Sequence, residues 1–221
     1  MARLPRLVIA GQAHLVLQMG HNGARVFEDA TDRGSYLAAL REAAATESVQ
    51  VHAYALPDQG VQLVLTPPSP LSMARFMQAV GRRYVSAYNR RHDCSGTRWD
   101  GRYRCGVVEP GEVLLEVLRL VDGLSDDPGI TSCGHRTGKA PEPLLTNPPE
   151  YWQLGNTPFD REAAYRSLLA TGLPDARAEA LRRGAAGGWA IGSAAFATKV
   201  AEAARRPSRP RPLGRPPRTP R

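Results

Sequence analysis

Residues 54–67 read YALPDQGVQLVLTP. Pro57-Asp58-Gln59-Gly60 is a turn signal, since proline presets one turn dihedral and glycine accepts conformations other residues avoid. It runs into Val61-Gln62-Leu63-Val64-Leu65, a β-like stretch that is apolar except at Gln62. Two strands joined by this turn are therefore expected, Val49–Leu56 before it and a strand to Thr66 after it. Whether Gln62 faces solvent or marks a functional position depends on what surrounds the hairpin.

Working outward, Arg6–Met19 reads as a first strand, with Leu7, Ile9, Leu15 and Leu17 spaced by two. Asp32–Ala45 reads as a helix capped by Thr31 or Asp32, with Tyr36, Leu37, Leu40 and Ala44 at helical spacing. Ser69-Pro70 opens a long helix to about Arg91, because proline suits the first helical turn. Arg98–Glu109 reads as a turn around Asp100-Gly101 followed by a fourth strand, and Glu112–Val121 as another helix. The order β-α-β-β-α-β predicts an α+β fold of ferredoxin-like type: an antiparallel four-stranded sheet, two helices on one face, and an open face for a ligand. Residues 1–131 form this domain. A loop-rich linker (132–156), a small helical appendage (157–204) and a disordered Pro/Arg-rich tail (205–221) are expected to follow.

The chain of 221 residues is 42% hydrophobic, enough for a sizeable core. It has no apolar run of membrane-spanning length. Gln12 and His14 interrupt the apolar stretch near the start, which reads as a strand and not a signal peptide. The three cysteines, Cys94, Cys105 and Cys133, match no zinc-ligand spacing and suit a reducing, cytoplasmic compartment.

Net charge is +8 and unevenly placed. The tail 205–221 holds seven arginines and no acid, whereas residues 1–204 hold 22 basic and 21 acidic groups. Within the latter, residues 71–104 carry eight arginines against Asp93 and Asp100. A GC-rich genome accounts for arginine over lysine but not for clustering, which suits a polyanionic partner. At 100° per residue, Met73, Met77, Val80, Tyr84 and Tyr88 share one helix face. Arg75, Arg82, Arg83 and Arg90 share the other, with no acid at helical spacing. That stripe reads either as a solvated face or as a row of phosphate contacts. Arg98, Trp99, Arg102, Tyr103 and Arg104 follow around a tight turn. Either the two aromatics plug the core, or they stack on unpaired bases while the arginines hold the backbone.

The motifs GRRYVSAYNRRH (81–92) and WDGRYR (99–104) resemble those of the REP-associated tyrosine transposases, within the IS200-like single-tyrosine transposases. Residues 1–40, VHAYALPD (51–58), LLEVLRLV (114–121), GGWAIGSAAF (187–196) and the GRPPR of the tail add to the resemblance. It implies the ferredoxin-like fold. It also implies cleavage and rejoining of single-stranded DNA at hairpin-bearing sites, by a tyrosine that becomes linked to the DNA 5′ end. A divalent metal held by a His-hydrophobic-His pair would polarise the phosphate.

Aligned without a gap, the two metal positions fall at Gly60 and Gln62, and the nucleophile position at Leu120. No tyrosine lies between Tyr103 and Tyr151. Glycine offers no ligand, glutamine one neutral carbonyl, and leucine cannot attack a phosphodiester. The resemblance therefore implies a degenerate member that binds single-stranded or hairpin DNA, with no catalytic residues, no metal and no cofactor. The rival is an active transposase with a rearranged site: magnesium or manganese held by Gln62 or by His14 and His52, and Tyr103 or Tyr84 as nucleophile. A third class is a protein-interaction module using the open sheet face. No membrane partner is expected, and a homodimer is left open. In the tail, Arg215 sits in Pro-Leu-Gly-Arg-Pro-Pro-Arg, which resembles an AT-hook with Leu213 in place of its first arginine; the other reading is a nonspecific polybasic arm.

Overall fold

The computed structural model describes residues 5–210. Its elements are β1 (His14–Met19), α1 (Ala30–Glu47), β2 (Gln50–Ala55), β3 (Gly60–Thr66), α2 (Pro70–Arg91) and β4 (Arg104–Val108). After these come α3 (Glu112–Asp122), α4 (Cys133–Thr137), α5 (Pro149–Trp152), α6 (Pro158–Thr171), α7 (Asp175–Gly187), β5 (Ala190–Ile191) and α8 (Ala194–Ala204). The expected β-α-β-β-α-β order is present. Strands β2, β3, β1 and β4 are antiparallel neighbours in that order. In one respect the sheet differs from expectation: β5 joins the edge of β4 in parallel, making a five-stranded mixed sheet.

Local sequence explains most element ends. The Asp29 side chain accepts from the Thr31 and Asp32 amides, so it caps α1 one turn before the expected site. Asp32 is instead buried, accepting from the Glu28 amide. Ser69 caps α2 by accepting from the Ser72 amide, with Pro70 in the first turn as expected. The first strand is shorter than Arg6–Met19. Gly11, at φ +70°, turns the chain and donates to the Pro67 carbonyl, so pairing begins only at His14.

On one sheet face, Tyr36, Leu40 and Ala43 of α1 and Met73, Phe76, Val80 and Tyr84 of α2 cover Val16, Val61, Leu63 and Leu65. The opposite face is not open. Leu114, Val117, Leu118, Leu120 and Val121 of α3 cover it together with Tyr165 of α6 and Ala178, Leu181 and Ala185 of α7. They pack on Leu15, Ala53, Ala55, Val64 and Val108. Burial on both faces is why β3 reads as a near-continuous apolar run.

Residues 132–156 hold two short helices and the fully buried Arg136, not loop alone. Residues 157–204 supply β5 and α7 to the same sheet and core. The first part of the expected disordered tail is docked: Ser208 is buried, donates from its hydroxyl to the Ala197 carbonyl, and accepts from the Ala190 amide. Arg215 and the AT-hook-like stretch lie outside the described residues.

Candidate nucleic-acid interface

Helix α2 buries Met73, Phe76, Met77, Val80, Tyr84 and Tyr88 and turns its arginines outward. Arg75, Arg82 and Arg90 are exposed and have no carboxylate partner among the described residues. Arg83 departs from the expected unpaired row. Its Nη2 lies 2.6 Å from Glu42 Oε1 of α1, a carboxylate brought close by helix packing and invisible at helical spacing within α2. The pair is exposed on both sides, so it contributes little and can exchange for another anion. Arg91, one position beyond the stripe, is clamped by Asp29 and Asp32.

The 98–104 turn extends the end of β1: the Asp100 amide donates to Met19 O, and Gly20 bridges to Trp99. Trp99 is buried, with ring centroids 6.0 Å from both Tyr36 and Tyr84. Its indole is a core plug and has no face to offer a base, so the stacking role considered for it does not hold. Arg98 is half-buried, its guanidinium 4.9 Å from the Tyr88 ring centroid. Tyr103 is 7% exposed, and one ring face carries the Arg6 guanidinium at 3.8 Å. Arg102 and Arg104 are exposed, with no protein partner among the described residues.

Two clefts meet at Tyr103. One, of about 230 Å³, has Arg6, Arg102, Arg104 and Arg206 in its walls with Tyr103 and Trp189, and no carboxylate among the described residues lines it. The other, of about 550 Å³, continues past Arg6, Arg102 and Tyr103 to Gln18, Leu71 and Arg75 at the start of α2. Sequence reasoning missed Arg6, Trp189 and Arg206 here, since they converge from the two ends of the chain. The local signal was Gly187-Gly188. A Cβ on Gly187 would stand 2.1 Å from the Trp189 indole nitrogen, so only glycine lets the ring lie there.

The positions aligned with the catalytic set lie elsewhere. Alternation along β3 turns Val61, Leu63 and Leu65 toward α1 and α2, and hence Gln62 toward the face covered by α3. Leu120 is 5% exposed on that same face. Gln62 Oε1 is buried without a hydrogen-bond partner, one neutral acceptor. At Gly60 a Cβ would come 2.7 Å from the Gln18 carbonyl oxygen and 3.3 Å from Met19 Cα, so β1 leaves no room for any side chain. A divalent metal does not fit these residues.

The rearranged alternatives fare no better. His52 is saturated, with Nδ1 2.6 Å from Thr146 O and Nε2 2.8 Å from Thr66 Oγ1. His14 Nε2 accepts from the Ile9 amide at 3.2 Å. Among the described residues no three His, Cys, Asp or Glu side chains are grouped to hold a metal. The Tyr84 hydroxyl is fully buried and donates to Val26 O, while burial pushes the Tyr103 phenol up to about 12.

His14 carries a pH dependence. Burial pulls its pKa from 6.5 down to about 4. Between those values the unfolded chain binds a proton that the folded chain refuses, so stability falls as pH drops through that window and this contribution levels off below it. Denaturant unfolding from pH 7 to 4 should show a slope that exceeds the slope of His14→Gln by up to one proton, roughly 1.4 kcal/mol per pH unit. Equal slopes would contradict this assignment.

No protein-family model and no curated protein sequence matches the chain. Among solved structures, it is similar to a REP-associated tyrosine transposase bound to a REP hairpin: TM-score 0.52, 10% identity, covering 68% of this chain and 93% of that one. A crystal structure from Deinococcus radiodurans R1, provisionally named a transposase, matches with 22% identity over 50% of this chain and 88% of that one. Its TM-score of 0.36 does not by itself establish a common fold. With its strand order, its two helices on one face and the first of these likenesses, the chain has the fold of the REP-associated tyrosine transposase.

Proposed function

We propose that this protein binds single-stranded or hairpin DNA and performs no strand transfer. The observation that carries the reading is the row of exposed arginines without carboxylate partners among the described residues, Arg75, Arg82 and Arg90 on α2, beside Arg102 and Arg104 on the neighbouring turn. Guanidinium groups in such a row neutralise successive phosphates and release their counterions. Arg83 joins them by exchanging Glu42 for phosphate, and Arg98 supports the turn through its contact with Tyr88. The similar transposase was solved with a hairpin bound, which suits a nucleic-acid partner for the shared fold.

The second half of the proposal rests on Gly60, Gln62 and Leu120. Strand transfer in this fold needs a metal to polarise the phosphate and a positioned hydroxyl to attack it. Glycine and leucine supply neither, and Gln62 supplies one neutral oxygen. The protein-interaction reading loses its support because α3 and α7 cover the face it needed. No helix among the described residues is long and apolar enough to cross a membrane.

Binding to single-stranded and hairpin oligonucleotides, measured across a salt series, tests the first half. Arg82→Ala with Arg90→Ala should weaken binding to all sequences and flatten the salt slope by roughly one unit per lost phosphate contact. An unchanged slope would remove these arginines from the interface. The second half is tested by incubating hairpin-bearing single-stranded DNA with the protein and magnesium or manganese, then separating under denaturing conditions. A protein–DNA band that survives, and is lost on changing one tyrosine, would refute catalytic silence.

A further inference from the structure

We propose that the cleft between Tyr103 and Trp189 is a pocket for one unpaired nucleotide, its phosphate on Arg102 and Arg104 and its base against the Trp189 indole; this rests on the DNA-binding reading above. Among the described residues, four arginines and no carboxylate line the cleft, which favours an anion there. Two of the four are committed to holding the walls. Arg206 donates to the Pro5 and Gly188 carbonyls, tying the end of the described chain to its start. Arg6 stacks on Tyr103 and donates from Nε to the Tyr103 carbonyl at 3.1 Å. Arg102 and Arg104 are exposed beside them, with their donors available.

Trp189 supplies the flat wall. It is half-buried, unlike Trp99, and no hydrogen bond holds its indole among the described residues. Gly187, which lies against the Nε1–Cδ1 edge of the ring, and Gly188 at φ +71° place no side chain against the indole. At about 230 Å³ the cleft is smaller than the roughly 300–1,000 Å³ of a self-contained small-molecule site. It suits one unit of a polymer that continues elsewhere. The continuation is present, since the cleft past Arg102 and Tyr103 leads to Arg75 at the start of α2. A single strand can therefore run from the arginine stripe over Arg102 and end with one base at Trp189. A paired base is stacked on both sides and cannot enter, so the pocket selects an unpaired one.

The test uses the full chain and two DNAs: a blunt hairpin, and the same hairpin with a short single-stranded overhang. Trp189→Ala should lower affinity for the overhang hairpin by about 10-fold, the scale of one base–aromatic stack, and leave blunt-hairpin affinity unchanged. Arg102→Ala with Arg104→Ala, two exposed positions whose replacement leaves the core intact, should lower the salt slope for both DNAs, and for the overhang DNA by about one unit more, the phosphate held in the pocket. If both DNAs bind and neither variant separates them, the pocket is wrong and the DNA-binding reading stands. If the wild-type chain binds neither DNA at low salt, both fall.

Discussion

Replacing Arg136 with alanine is expected to destabilise the protein by about 3–5 kcal/mol, the cost of stranding a buried charge. Arg136 and Asp122 are both fully buried, 2.8 Å apart. Asp122 also accepts from Ser132 Oγ at 2.5 Å and the Tyr165 hydroxyl at 2.7 Å, while Arg136 Nη1 donates to the His52 carbonyl at 2.6 Å. Burial, and then the charge of Asp122, raise the Tyr165 phenol well above its ordinary range. One polar cluster thus joins β2, α3, α4 and α6, and it holds the covering helices on the second sheet face. Removing the guanidinium leaves a carboxylate without a cation where water cannot reach. Changing both partners, Asp122→Asn with Arg136→Met, should cost less than the two single changes summed, because no charge is stranded. The measurement is the urea midpoint at constant m-value. A loss under about 1 kcal/mol for Arg136→Ala would mean the pair is not dry.

Restoring the aligned catalytic residues together, Gly60→His, Gln62→His and Leu120→Tyr, is expected to yield no cleavage and no covalent DNA adduct. Folding does not require histidine at 60 or 62, so its loss need not harm stability; putting it back is another matter, because of the packing. Any Cβ at Gly60 meets the Gln18 carbonyl at 2.7 Å, and backbone cannot swing aside as a flexible side chain would. Leu120 lines a cleft of about 210 Å³ with Ala178 and Arg182 of α7, so the obstacle lies at Gly60. Overpacking costs about 1–3 kcal/mol at such a site. Gly60→Ala alone should therefore lower the urea midpoint measurably, while Gln62→His, on a half-buried side chain, should lower it least. Metal-dependent cleavage by the triple variant would show that β1 yields and that only ligands were missing.

Much of the fold was legible because periodicity is local. Spacing by two along 49–66 and by three and four along 70–91 is written into neighbouring residues, as are the caps at Ser69-Pro70 and the Pro57–Gly60 turn. The same stretch held an unread signal: Val61–Leu65 is too apolar for a strand with one open face. The catalytic gaps at Gly60, Gln62 and Leu120 were likewise visible as residue types.

By itself, then, the sequence determined the kinds of elements, their order, the clustering of arginine and the absence of the required side chains. Each of these depends only on residues near one another along the chain. Tertiary structure alone decided the rest. It decided what two buried aromatics in one turn face, setting Trp99 against Tyr36 and Tyr84, and Tyr103 under Arg6 in the wall of a cleft. It supplied Glu42 to Arg83 from another helix, and it closed Gly60 with the backbone of β1. It also brought Arg6 and Arg206 from the two ends of the chain to one cleft with Trp189. Those outcomes depend on which surfaces meet when the sheet and helices pack, and contacts between distant segments leave no periodic trace in the sequence of either.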